Sequence, residues 1–358
     1  MPVPRTVIVT GGTAGVGRAV VEMLARRGDR IGIIARGREG LAATRAAVER
    51  LGGTALELPC DVADASQVEA AADKMVEAHG PIDVWVNAAM VTVFSKVRDL
   101  TPEELRRVTE VTYLGNVYGI MAAYRRMREQ ADGTIVQIGS SLAYRGIPLQ
   151  AAYCGAKHAI KGFLDSLHSE LIHENSRIKL TTVHIPAVNT PQFDWARTHT
   201  GLQPRPVAPV FQPEAIARHV MEAIDNPARE YWVGGSTPMV IAGSFVAPGL
   251  MDMYLARTTV TGQERPEWTD PDRRDNLFEP VEGKGLHRAH GSFDREAKSS
   301  TLGIAAESFR AVAAGAILAV AGGLALGGTL LDRGGDGSER RRRQRDMARL
   351  GPGPRRGA

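Results

Sequence analysis

A chain of 358 residues, 43% apolar and 5% aromatic, can bury a large core and has room for two domains. Its formal charge of +4 belongs to its end: from Asp332 onward nine arginines stand against four acids, which leaves the rest close to neutral. That excludes a nucleic-acid-binding body, the two cysteines (Cys60 and Cys154) exclude a disulfide framework or cysteine zinc site, and nine histidines without HxxxH spacing give no reason to expect a metal.

The apolar run Val7-Ile8-Val9 predicts a first strand, Thr6–Thr10. It is entered directly from Met1-Pro2-Val3-Pro4 with no leader pattern, so a cytoplasmic body is expected. The strand turns through Gly11, Gly12, Thr13 and Ala14 into a helix pattern over Gly15–Arg27. A strand that ends in glycines before a helix brings backbone N–H groups, and the positive end of the helix dipole, to a bound anion. Gly11 suits the tight turn, Gly15 lets a pyrophosphate approach, and Gly17 lets the helix pack closely.

Further strands are expected at Arg30–Ala35, Thr54–Leu58, Ile82–Asn87, Thr134–Ile138 and Lys179–Ile185. Helix patterns fill the gaps: Arg38–Leu51, Ala65–His79, Pro102–Arg128 and Ala151–His173. Thr101 before Pro102 reads as an N-cap followed by proline at the first helical position. This alternation predicts right-handed βαβ units, hence an α/β fold with a doubly wound parallel sheet.

Residues Ala187–Gln212 break the rhythm, are rich in proline and carry Phe193, Trp195 and Phe211, which suggests a lid. Tyr231-Trp232-Val233 reads as a last short strand. We therefore expect a catalytic domain over 1–260, a polar linker over 261–300, a hydrophobic segment over 301–331 and an Arg-rich disordered tail over 332–358.

A second constellation lies far from the glycines. Tyr153 and Lys157 fall one turn apart on a helix face, where an ammonium beside a phenol lowers the phenol pKa. That would make the tyrosine an acid/base near neutral pH. Ser140 follows the strand Thr134–Ile138, and strand carboxyl ends are where active sites gather in open α/β sheets. Its hydroxyl is placed to polarise a carbonyl oxygen. A surface tyrosine near a lysine is the plain alternative, which the glycine turn upstream argues against.

With these residues in view, the chain resembles the classical short-chain dehydrogenases/reductases over roughly residues 4–260. Thr10–Gly17, including Thr13, Ala14 and Val16, matches the family's TGxxxGxG cofactor loop. Asp61-Val62 matches the pair that holds adenine, and Pro186-Ala187-Val188-Asn189-Thr190 is similar to the segment at the nicotinamide end. Ser140, Tyr153 and Lys157 match the catalytic trio, and the resemblance gives Lys157 the nicotinamide ribose as well. It implies a Rossmann-like sheet of about seven strands, oxidoreductase activity and a homo-oligomer.

Two positions depart from the pattern. Asn87-Ala88-Ala89-Met90 stands where the family reads Asn-Asn-Ala-Gly, with Asn87 and Ala88 still expected at the cofactor. The asparagine of the family's proton relay falls on Thr112, with Asn116 four residues on as the other candidate.

The second strand ends Ile33-Ile34-Ala35-Arg36, without the acid that binds a free ribose 2′-hydroxyl. Arg36, helped by Arg38, is suited to pair with a 2′-phosphate, so NADP(H) is expected over NAD(H). The aromatic lid points to a small lipophilic alcohol or carbonyl substrate. Ala311–Leu331 carries no charge and is long enough, at ~32 Å as a helix, to cross a bilayer core. It spans a membrane, re-enters one or packs as a soluble helix; membrane attachment beside Arg340–Arg343 is the expectation. The alternative to an enzyme is a non-catalytic, membrane-tethered nucleotide-binding scaffold of the same fold.

Overall fold

The structure is a computed structural model that describes residues 3–270, 272–283 and 285–308. Seven parallel strands form its sheet: β1 (Thr6–Thr10), β2 (Arg30–Ala35), β3 (Thr54–Pro59), β4 (Val84–Asn87), β5 (Thr134–Ser140), β6 (Lys179–Ile185) and β7 (Glu230–Val233). An eighth, β8 (Gly303–Ala305), pairs antiparallel with β7. The order is β3-β2-β1-β4-β5-β6-β7-β8. Connectivity reverses at β1, between β2 and β4, and the crevice beyond such a switch point is where open α/β sheets bind ligands.

The connecting helices are α1 (Gly15–Arg26), α2 (Arg38–Arg50), α3 (Ala65–His79), α4 (Pro102–Val108), α5 (Gly115–Gln130), α6 (Ala151–His173) and α7 (Pro213–Asp225). Successive strand side chains point to opposite faces and so enter two cores. Val7 and Val9 pack with Val20 and Leu24 of α1 and Ile216 and Val220 of α7. Ile8, between them, packs on the other face with Trp85, Ile120 and Ile160.

The helix expected over Pro102–Arg128 is divided. Thr101 caps α4 through a reciprocal pair with Glu104, and Pro102 takes the first turn as expected. The turn Thr109–Leu114 then widens to π geometry before α5. Gly115 is required at the end of that turn, since a Cβ there would lie 2.6 Å from Val62 Cγ2.

The stretch expected to be a polar linker is folded. Helices α8 (Ser236–Val246) and α9 (Pro248–Gly262) lead into a strand, Glu264–Trp268, antiparallel to Leu202–Pro204. Leu277 and Phe293 are buried, and Phe293 stacks edge-on against Phe193 with centroids 5.8 Å apart. The compact unit runs to Ala306, so its boundary lies well beyond residue 260. Among the described residues no helix is long and apolar enough to cross a membrane. The expectations for Ala311–Leu331 and the Arg-rich tail lie outside the described residues.

Candidate active site

A cavity of about 670 Å³ lies along the carboxyl ends of the strands. It reaches from Arg36 after β2 to Pro186 after β6. Those strands are four sheet positions apart, or ~19 Å at the usual strand spacing. Gly11, Thr13, Ala14, Gly15, Val16, Gly17, Arg36, Asp61, Val62, Ala88, Ser140, Tyr153, Lys157, Pro186, Val188 and Thr190 all line it. The glycine turn works by close approach. Gly11 has φ +67° with Ala89 Cα 2.7 Å from where a Cβ would stand, and a Cβ on Gly17 would meet Gly11 O at 2.3 Å.

At the far end of β5, Ser140 Oγ accepts the Leu142 N–H at 3.1 Å, which fixes the rotamer, and hydrogen-bonds the Tyr153 hydroxyl. His184 on β6 contacts the Ser140 carbonyl through Nδ1 at 3.0 Å. Lys157, one turn along α6 from Tyr153, is 4% exposed and donates to Ile138 O at 2.9 Å.

The electrostatics differ from the expected activated phenol. Burial pushes the Tyr153 pKa up, the neighbouring Cys154 adds to this, and the Ser140 hydrogen bond only partly offsets it. Burial also pulls the Lys157 pKa down, to about 8. Desolvation disfavours the charged form of both groups and outweighs the expected lysine effect. Tyr153 is therefore held as a neutral phenol, the form that donates a proton.

Three expected residues, Thr112, Asn116 and Asn87, do not line the cavity. Thr112 is fully buried; its hydroxyl donates to Val91 O at 2.8 Å and accepts the Val91 N–H at 3.0 Å. It anchors the loop after β4. Asn116 is engaged inside the fold as well: its Nδ2 donates to Thr112 O and Ala89 O while its Oδ1 accepts from Gln137 Nε2. Asn87 is likewise internal: Oδ1 accepts from Trp85 Nε1 at 2.9 Å, and Nδ2 donates to Asn116 O.

The end of the cavity near β2 also departs from expectation. The Arg36 guanidinium donates to Asn276 O at 2.5 Å and Phe278 O at 2.6 Å. It is therefore engaged by main-chain carbonyls of the segment that follows α9. Burial and the nearby Arg107 lower its pKa. Arg107 pairs with Asp61 at 2.5 Å and donates to Leu277 O. Gly15 N–H donates to Arg288 O at 3.1 Å.

Sequence reasoning missed the roof of this site. Asn276, Pro280, Val281 and His287 line the cavity from the supposed linker. Met239, Val240, Met251 and Leu255 of α8 and α9 line its other end, with Phe193 and Trp195 of the expected lid. The apolar residues of α8 and α9 were the available signal. The roof segment has no periodicity to read.

The family profile described as short chain dehydrogenase matches residues 5–200. The uncharacterized oxidoreductase YxnA of Bacillus subtilis (strain 168) is 26% identical over 285 residues, 79% of this chain and 80% of its own length. The 3-dehydrosphinganine reductase of Danio rerio is 30% identical over 224 residues, 60% of this chain and 67% of its own. Among solved structures, an alcohol dehydrogenase from the archaeon Thermococcus sibiricus, complexed with 5-hydroxy-NADP, superposes with TM-score 0.56. At 22% identity over 64% of this chain and 96% of that one, it shows the fold alone. Since the family match covers more than half of the chain, the protein belongs to the short-chain dehydrogenase family and is an oxidoreductase.

Proposed function

We propose that the protein interconverts an alcohol and a ketone or aldehyde, with a nicotinamide dinucleotide bound along the crevice and Tyr153 as the acid/base. The observation that carries this is the meeting of Ser140, Tyr153 and Lys157 in one cavity with the glycine turn. The site fits such a cofactor, because its backbone comes close at Gly11 and Gly17 where side chains are excluded. When bound, the dinucleotide supplies or accepts the hydride.

In reduction, the chain's residues act at the carbonyl oxygen. Ser140 and Tyr153 hydrogen-bond it, and the neutral phenol of Tyr153 donates its proton as negative charge develops there. The Lys157 ammonium, held by Ile138 O, stabilises the resulting phenolate through space. Met239, Val240, Met251 and Leu255 give the substrate end an apolar wall, which supports a lipophilic substrate. Membrane attachment through Ala311–Leu331 remains a proposal resting on its uncharged sequence, tested by whether salt, alkali or only detergent releases the full chain from membranes.

The test is NADH and NADPH oxidation over a panel of lipophilic ketones and aldehydes, with Tyr153→Phe beside the wild type. Turnover should fall by about 10²–10⁴ in the variant, with cofactor affinity kept. Equal turnover in the two proteins would overturn the acid/base assignment. Cofactor binding without turnover of any carbonyl would favour the scaffold instead.

A further inference from the structure

The roof segment meets both groups that a 2′-phosphate would use at the end of β2. One is Arg36, whose guanidinium is bound by the carbonyls of Asn276 and Phe278. The other is the N-terminus of α2, where free backbone N–H groups attract anions. Gly37 leads into that helix and offers no side-chain cap. Glu282 supplies one: its Oε1 accepts the Glu39 N–H at 2.8 Å. The same oxygen lies 2.6 Å from where a Cβ on Gly37 would stand, and Gly37 lines the cavity.

This segment roofs the cavity without filling it. Asn276, Pro280, Val281 and His287 line the open volume. Two of them carry buried polar atoms with no hydrogen-bond partner among the described residues, Asn276 Oδ1 and His287 Nε2. The roof is also anchored from outside the site: Asp275 pairs with Arg197 at 2.9 Å, and the Arg197 guanidinium stacks 5.0 Å over the Phe278 ring.

We propose that Asn276, Pro280, Val281 and His287 form the adenosine-ribose wall of the dinucleotide site, and that the Glu282 carboxylate beside them makes the site select NAD(H) over NADP(H). The acid missing from the end of β2 is supplied from about 245 residues further along the chain. A carboxylate at the α2 N-terminus disfavours a dianionic 2′-phosphate by like-charge repulsion, and Arg36 is already committed to main-chain carbonyls. A free 2′-hydroxyl meets neither obstacle.

The inference rests on the dinucleotide reading above, so the experiment measures binding rather than turnover. Calorimetric titration of the full chain with NADH, NADPH, AMP and 2′,5′-ADP gives the affinities. Wild type should bind NADH at least ten-fold tighter than NADPH, and AMP tighter than 2′,5′-ADP. Glu282→Gln should narrow both gaps several-fold, and Glu282→Lys should close or reverse them. If Glu282→Lys does not fold, the isosteric Glu282→Gln still decides. Wild type that binds NADPH as tightly as NADH, or gaps unchanged in the variants, overturns the inference and leaves the oxidoreductase reading intact. Failure to bind any of the four overturns both.

Discussion

Lys157 Nζ stands 5.5 Å from the centroid of the Tyr153 ring and is fixed there by the Ile138 carbonyl of β5. The backbone, not the phenol, therefore positions this cation. It is also an expensive group to bury, since its pKa falls from the usual 10.5 to about 8. A site that holds a desolvated ammonium in place trades stability for the charge it presents to the reaction.

Lys157→Met makes that trade measurable. Below pH 8 both folded and unfolded states hold the proton, so the wild type bears the full desolvation cost. Between about 8 and 10.5 the folded state gives up its proton first, and the cost fades. The variant should be more stable than wild type by roughly 3 kcal/mol at pH 7, with the difference approaching zero by pH 10.5. Ile138 O stays satisfied by Gln137 Nε2. Urea unfolding at the two pH values checks this, and a variant less stable at pH 7 would refute it. Turnover should be lost throughout.

Thr112→Val tests the anchoring role. The substitution strips Val91 of partners for both its N–H and its C=O in a fully buried place, which should cost about 1–3 kcal/mol. Val91 lines the cavity, so kcat should fall modestly with the loosened loop. The shape of the pH–rate profile should not move. A displaced profile at unchanged stability would restore Thr112 to a proton relay.

The parts of this protein that were legible in its sequence are those whose signal is local. The glycine turn, Ser140 at a strand end, and Tyr153 and Lys157 on one helix face each depend on spacing within a few residues. Thr112 was located correctly on its helix, but its partner Val91 is 21 residues away and is chosen by packing. The roof was illegible for another reason. It holds on through backbone carbonyls, which every sequence has, and through isolated apolar residues such as Leu277 and Phe293 with no period. β8 is three residues long and follows polar sequence, too short for any pattern.

Arg36→Ala separates the expected role of this side chain from the observed one. If Arg36 held a 2′-phosphate, the variant would lose NADPH affinity alone. Because its guanidinium ties down Asn276 and Phe278, the variant should instead weaken NADH and NADPH together. Losing these charge-assisted bonds should cost about 1.5–3 kcal/mol of local stability. Limited trypsin digestion should then cut faster at Arg273 or Arg274, beside the loosened segment. Selective loss of NADPH with unchanged digestion would return Arg36 to the phosphate.

Two truncations locate the true end of the compact unit. Ending the chain after Ser308 keeps β8 and the buried Ala306, so thermal stability and cofactor affinity should match the full chain. Ending it after Ser300 removes β8 and with it the pairing of Tyr231, Trp232 and Val233 to Ala305, Ile304 and Gly303. It also removes Leu302, whose carbonyl accepts the Gly234 N–H, and Ala306, which packs with Trp232 and Ile241. The edge of β7 would be bare and the seat of α8 loosened, for a loss of about 2–4 kcal/mol from the lost hydrogen bonds and apolar cover. Because α8 carries Met239 and Val240 into the cavity, KM for a lipophilic carbonyl should rise more than kcat falls. Equal melting temperatures for the two truncated chains would show that β8 adds nothing and that the unit ends before it.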